Sequence, residues 1–392
     1  MATAETHPFD EITSERLRDI GSLKWTKYPG TIGAWVAESD FGVAPGIRAA
    51  LQDALDRGLF GYLPLHLLPD LQAATAGWYA REYGWDIEAR QVRAVPDVLT
   101  VLHLICSEYL PPASKVILPT PAYMPFVTIP PKHGHELVQV SLVRDGGRWV
   151  YDLDALEAAF AAGARLLILC NPHNPVGRVL ERDELLAIAG LVERYGALVF
   201  SDEIHAPLVF EGHRHVPYAS LTPETAAHTI TATSASKAFN LPGLKCAQLI
   251  HTSHEHARTW SGVGALAEEA VNNLGMIANI AAYEDSRVWL AEEMEYLDGN
   301  RYLLRDLLAE RIPEVEATVP EGTYLSLIDC RGLELGEAPA AFFQREAGVT
   351  LTDGALCGGA GEGFVRFNLA TPRPILAEAV QRMADAVARS GR

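Results

Sequence analysis

The run Thr229-Ile230-Thr231-Ala232-Thr233-Ser234-Ala235-Ser236-Lys237-Ala238-Phe239-Asn240-Leu241-Pro242-Gly243-Leu244-Lys245 leads from a β-rich segment, through a lysine flanked by hydroxyls, to a Pro-Gly turn. Alternating β-branched residues at 229–233 predict a strand, and Lys237 then stands on the turn past its carboxyl end. Ligands collect at that edge of open α/β sheets. A lysine placed there, with a second cation at Lys245, is a candidate imine-forming amine. The chain has six lysines against twenty-six arginines. Arginine stays protonated and cannot form an imine, whereas lysine gives up its proton when desolvated. Lys24, Lys27, Lys115 and Lys132 lie in polar or Pro-flanked contexts and read as charges at the surface or at the start of a strand. Ser234 to Lys237 also spells Ser-x-x-Lys, a nucleophile motif of penicillin-recognising serine enzymes. Its companions, Ser-Asp-Asn and Lys-Thr-Gly, occur nowhere in the sequence, so that reading is set aside.

Upstream of this run, strands and helices alternate. Strands are expected at 91–95, 115–118, 136–142, 165–170 and 197–201, and helices at 97–109, 152–160 and 181–195. Residues 165–170 are apolar apart from Arg165, as in strands buried on both faces. The rhythm predicts a doubly wound, mostly parallel sheet. Ahead of it, apolar spacing predicts helices at 45–57 and 67–83. After Lys237 come a strand at 247–251 and a long helical stretch from 264 to 310. The texture then changes: 323–329 and 364–369 alternate like half-buried strands, with helices at 338–347 and 374–388. Gly358 to Gly363 misses the Gly-x-Gly-x-x-Gly spacing and precedes a strand, so it reads as a turn. The fold class is therefore α/β, a large sheet domain over 43–285 followed by a small α+β domain over 286–392. Residues 1–42 form an N-terminal arm or part of the small domain. Trp25, Trp35 and Phe41 suggest that this arm packs onto something else, such as a partner subunit.

Composition narrows the function. The sequence has 392 residues, 48% hydrophobic and 21% charged, with a net charge of −18. Phosphate-backbone binding needs clustered Lys and Arg, so nucleic acid is disfavoured, as is an anionic membrane surface. Residues 98–106 are the longest approach to an apolar span, and His103 interrupts them. Residues 1–15 carry acids and no apolar core, so no secretory signal is expected. Five widely spaced cysteines without Cys-x-x-Cys read as reduced thiols, hence a cytoplasmic protein. No metal is expected: His254-Glu255-x-x-Arg258 lacks a zincin's second histidine.

Several polar residues fall where a cofactor could meet Lys237. Asp202 ends a buried strand, where a carboxylate is costly unless it meets a cation. Asn174 follows the neighbouring strand in a loop fixed by Pro172, Pro175 and Gly177. Asp97 and Val98 open a helix, whose free N–H groups attract phosphate. Tyr123 can stack on a planar ligand, and Arg366 can clamp a carboxylate with two parallel hydrogen bonds. Together these match the demands of pyridoxal 5′-phosphate.

On these residues the sequence resembles the class I/II aminotransferase superfamily of fold type I, and within it the cystathionine β-lyase (C–S β-lyase) branch. The resemblance rests on Lys24-Trp25, Trp35-Val36-Ala37, Phe60-Gly61-Tyr62, the segments Cys170 to Arg178 and Ser201 to Ala206, the lysine loop, and Glu321 to Ser326. It implies a seven-stranded type of sheet and a homodimer with the active site at the subunit interface. It also implies that Lys237 bonds the cofactor and acts as the base, Asp202 pairs with the pyridine nitrogen, and Asn174 reaches the ring hydroxyl. Tyr123 would stack on the ring, and His205 stands where a tyrosine is often found. Ser234, Ser236, Lys245 and the amides near Asp97 and Val98 would hold the phosphate, with Tyr62 supplied by the second subunit. Arg366 would take the substrate carboxylate, beside Asn174, Trp35 and Ala37. The branch more often has Asp-Met at Glu38-Ser39 and an acid at Pro207. The implied activity is α,β-elimination of L-cystathionine or related cysteine S-conjugates to a thiol (homocysteine), pyruvate and ammonia, in methionine biosynthesis. A class I/II aminotransferase is the alternative, since both reactions start by removing the same Cα proton.

Overall fold

The computed structural model describes residues 7–391. Its centre is a seven-stranded sheet made of β1 (Val92–Val95), β2 (Lys115–Thr120), β3 (Glu136–Ser141), β4 (Ala164–Cys170), β5 (Leu198–Asp202), β6 (Thr229–Thr233) and β7 (Ala247–His251). The strand order is β1-β7-β6-β5-β4-β2-β3. β7 runs antiparallel to both its neighbours, and the other pairings are parallel. Alternation along β4 shows the double winding. Leu166 and Ile168 pack with Val101, Phe126 and Trp260 on one face, while Leu167 and Leu169 pack with Leu156, Leu185 and Ile188 on the other. Each such fully buried leucine is worth about 1.5–3 kcal/mol relative to exposure.

Helices α1 (Pro45–Asp56), α2 (Leu67–Tyr83), α3 (Val98–Leu104), α4 (Asn273–Asp285), α5 (Arg287–Arg311) and α6 (Arg373–Arg389) position the site. The Asp97 side chain accepts from Thr100 N–H and caps α3, which runs on into one wider turn over Ile105–Tyr109. The long helical stretch expected from 264 to 310 divides into three helices. The first ends by Ala270, and Asn272 then caps α4 by accepting from the N–H groups of Leu274 and Gly275. Ser286 separates α4 from α5.

A second, antiparallel sheet has the order Glu316–Ala317, Leu325–Asp329, Phe364–Asn368, Thr352–Asp353. The short N-terminal strand Ile32–Gly33 pairs in parallel with Val349–Thr350. The aromatic arm thus finds its partners in its own chain. Trp25 and Phe41 are buried in one core with Tyr296, Leu376 and Phe367, which corrects the expectation that they serve a partner subunit; residues 1–6 and 392 lie outside the described residues. Lys24, expected as a surface charge, is 1% exposed. Its ammonium donates to Asp40 at 2.7 Å and to the carbonyls of Glu38 and Ala370, and these three acceptors make burial tolerable. All five cysteines are unpaired and buried. Among the described residues, no helix is long and apolar enough to cross a membrane and no cluster could hold a metal ion.

Candidate active site

Topology alone brings the candidate residues together. Tyr123, Asn174, Asp202 and Lys237 follow or end β2, β4, β5 and β6, four neighbouring strands, all at their carboxyl ends. β7 runs the other way, so its beginning, at Lys245 and Cys246, reaches the same edge. β1 pairs with β7, Val95 opposite Ala247, and this places Asp97 beside Lys245. These residues line a cavity of about 370 Å³, together with His205, Ser234, Ser236, Val98, Trp35, Ala37 and Arg366. The only candidate it leaves out is Tyr62, which is 101% exposed on the loop between α1 and α2.

The Lys237 ammonium donates to the Ala37 carbonyl at 2.9 Å. Desolvation, and then the Arg366 charge, push it down to about 8. The loop that carries it is tied at both ends. Ser234 Oγ donates to the Cys246 carbonyl and accepts from Ser236 N–H. Asn240 exchanges two hydrogen bonds with the Ser39 backbone.

Asp202 is 4% exposed, and its carboxylate accepts from Ile204 N–H at 3.1 Å. Burial pushes it up to about 7. Cys170 Sγ lies 3.9 Å from its other oxygen. Arg366, 2% exposed, enters the cavity from the small sheet. It donates to Asn174 Oδ1 at 3.1 Å, the Trp35 carbonyl at 2.7 Å and Thr352 Oγ at 3.1 Å, and its Nε has no partner. Burial, and then Lys237 and Arg366, hold His205 well below the ordinary imidazole range, and its Nδ1 is also unpartnered. The imidazole is therefore neutral. Burial raises the Tyr123 hydroxyl, with Arg366 opposing.

At the outer end of the cavity, Lys245 pairs with Asp97 at 3.0 Å. Burial acts to raise the Asp97 carboxyl, but hydrogen bonds from Thr100 N–H and Lys245 leave it below its usual range. The pair and the first turn of α3 present a cation and free backbone N–H groups at one spot, the makings of an anion cradle.

The sequence profile of the class I and II aminotransferases matches residues 36–383. The chain belongs to the class I and II aminotransferase family. Among its relatives, cystathionine β-lyase of Corynebacterium glutamicum is 36% identical over 95% of this chain and 98% of the relative. Cystathionine β-lyase PatB of Bacillus subtilis is 31% identical over 93% and 96%. The crystal structure of a pyridoxal-phosphate-bound C–S lyase from Staphylococcus hominis superposes with a TM-score of 0.90 at 28% identity, covering 98% of this chain and 99% of the other.

This aminotransferase-family chain also shapes the site with residues to which the sequence reading assigns no role, some of them inside the quoted motifs. Tyr324 donates its hydroxyl to the same Ala37 carbonyl, at 3.1 Å. Thr323 before it has φ of +71°, a strained conformation for a β-branched residue, held by Thr323 N–H to the Leu208 carbonyl and Leu325 N–H to Thr323 Oγ. Thr352 was not readable because its register opposite Arg366 is set by strand pairing. His173 joins two loops, with Nε2 on the Pro121 carbonyl at 2.8 Å and Nδ1 on the Tyr151 hydroxyl at 2.7 Å. Burial first of all pushes its imidazole down to about 4.

Proposed function

We propose that this protein is a pyridoxal 5′-phosphate-dependent C–S β-lyase, acting on L-cystathionine or a related cysteine S-conjugate. The observation that carries this reading is the convergence of Lys237, Asp202 and Arg366 on one cavity in a chain similar over nearly its full length to C–S lyases. The cavity's own chemistry suits the cofactor. It offers an amine brought toward neutrality, a buried carboxylate with no ion pair among the described residues, an unpartnered imidazole nitrogen and a cation at a helix start.

On this reading Lys237 would hold the cofactor through its aldehyde, with Asp202 on the side of the ring nitrogen, Asn174 near the ring hydroxyl, and Tyr123 and His205 against the ring. Ser234, Ser236, Lys245 and the N–H groups near Asp97 and Val98 take the phosphate, with Tyr62 arriving from a second copy. When bound, the cofactor supplies an aldehyde that links to amines and a ring that accepts electrons. Arg366 binds the substrate α-carboxylate through its guanidinium, with Trp35, Ala37 and Asn174 around it. Lys237, freed by the substrate's amine, takes the Cα proton as general base. As the C–S bond at Cβ breaks, the electron pair left at Cα forms a C=C bond, the departing thiolate takes the proton that Lys237 removed, and water hydrolyses the remaining three-carbon fragment to pyruvate and ammonia. Asp202 would keep a proton on the ring nitrogen, because an opposite charge in a dry site favours the charged form.

The reading extends to a cytoplasmic homodimer serving methionine biosynthesis, with a large domain at 43–285, a small one at 286–392, and 1–42 as an N-terminal arm or part of the small domain. Phe60, Tyr62 and Leu65, exposed on one loop, support a face for a second copy. The test is release of pyruvate from L-cystathionine with no keto-acid acceptor present. An absolute requirement for 2-oxoglutarate would make the protein a transaminase instead. Lys237→Ala should abolish the visible absorbance of the purified protein.

A further inference from the structure

Glu203 follows Asp202 just past the end of β5; it does not line the cavity, and its carboxylate lies on the side of Ser201 rather than of Asp202. It is 0% exposed, yet nothing in the chemistry above uses it. Four donors converge on its carboxylate. Oε1 accepts from Ser201 Oγ at 2.9 Å and Tyr218 N–H at 3.1 Å; Oε2 accepts from Tyr79 Oη at 3.2 Å and His215 Nε2 at 3.2 Å. Its backbone is fixed too, N–H to the Ala232 carbonyl of β6 and carbonyl from Ala206 N–H. The carboxylate therefore ties the end of β5 to α2 and to the 213–218 loop.

We infer that Glu203 is a positioning residue for Asp202, and that Tyr79 and His215 hold it and offset its charge. This rests on the assignment of Lys237 and Asp202 above. The Glu203 carboxylate is adjacent to Asp202 and fixed by four donors, so it sets both the placement and part of the field of Asp202, adding to the dominant effect of burial. The charged and titratable groups around Glu203 are Asp202 on β5, Tyr79 and Tyr83 on α2, and His215 on the loop. Those acting on Lys237 are Arg366, Glu38 and Asp202. Glu203 thus reaches the cavity through Asp202, by geometry and by field. His215 has an unpartnered Nδ1 and lines a separate surface groove with Tyr83, His213 and Arg287.

The test titrates the visible absorbance of the lysine-bound cofactor in the holoenzyme against pH. Glu203→Gln removes negative charge and should move the midpoint down by about half a unit. His215→Leu leaves that charge less offset and should move it up, and Tyr79→Phe, which keeps the shape, should move it up by less. His215→Gln, whose amide can donate to Glu203, should restore the wild-type midpoint. A merely structural role predicts no such opposition of sign. Shifts of the same sign for Glu203→Gln and Tyr79→Phe, or no shift in either, overturn the inference. Lys237→Ala serves as the separate control. If it keeps the band, the reading of the lysine falls, and the decision passes to pyridoxal phosphate binding by the cofactor-free protein, followed through tryptophan fluorescence. About tenfold weaker binding by Tyr79→Phe and His215→Leu then supports the inference, and unchanged binding overturns it.

Discussion

The Lys24 ammonium lies 2.7 Å from Asp40, and both side chains are buried. Trp25 donates its indole N–H to the same carboxylate, and Lys24 also donates to the Glu38 and Ala370 carbonyls. This pair therefore pins residues 38–40, which directly follow the cavity wall formed by Trp35, Val36 and Ala37, the last of which presents its carbonyl to Lys237.

Breaking the pair from one side leaves an uncompensated buried charge. Lys24→Met should cost about 3–5 kcal/mol, read from urea unfolding of the cofactor-free protein. The double variant Lys24→Met/Asp40→Leu should lose less than the single one. A single-variant loss below about 1 kcal/mol, the scale of a surface pair, would show that the pair does not hold the wall.

Arg366 is held by three acceptors in a planar fork, which lysine cannot reproduce. Arg366→Lys should lower kcat/KM for the amino-acid substrate by about 10- to 100-fold through loss of charge-assisted hydrogen bonds. Steady-state pyruvate release measures it, and an unchanged kcat/KM would remove Arg366 from substrate binding.

Asp202 gives a pH signature. An unfolded chain loses this proton near about 3.9, whereas burial lifts it to about 7 in the fold. A raised carboxyl adds stability that is complete below the unfolded value and is lost as pH rises through about 7. The cofactor-free Asp202→Asn variant should therefore be more stable than wild type by a few kcal/mol at about pH 8 and equal to it at about pH 4, while binding the cofactor poorly. Thermal unfolding at the two pH values checks the sign.

Glu293 on α5 should behave likewise at a higher pH. Burial pushes it up to about 8, opposed only by the Ser39 hydroxyl, and its Oε2 has no partner. Its contribution is present below the unfolded value and gone above about 8. Glu293→Gln should leave the protein unchanged in acid and stabilise it above about pH 8 by about 1–3 kcal/mol. Equal melting curves across that range would contradict the assignment.

Gly275 sits on α4 where a Cβ would collide with the Leu244 carbonyl oxygen and the Cys246 side chain. Gly275→Ala should push the Lys245 end of the lysine loop away from Asp97. The cofactor's affinity should fall about tenfold or more, although alanine is the better helix former. Reconstitution of the cofactor-free protein measures this, and undiminished affinity would show that the loop is free to shift.

Much of this was legible in the sequence because local patterns carried it. Residues 166–170 could be placed as a buried strand by their lack of polar positions, and Asn174, Asp202 and Lys237 then followed from strand ends. Lys24 was misread because its acceptors are remote, 16 residues away at Asp40 and 346 away at Ala370, and backbone carbonyls leave no mark in a sequence. The break at Asn272 was hidden for another reason. Asn favours N-caps, but one Asn does not by itself mark a helix start, and only the bonds its side chain accepts from Leu274 and Gly275 N–H show the break. Gly275 carried no signal at all, since the need for a missing side chain lies in what another loop brings against it.

The Ala37 oxygen receives both the Lys237 ammonium and the Tyr324 hydroxyl. When the amine swings to another bond, the tyrosine still satisfies that oxygen, so departure leaves no bare carbonyl behind. The lysine has a berth it can quit and regain at each turnover, and the wall that offers it stays still while the amine travels.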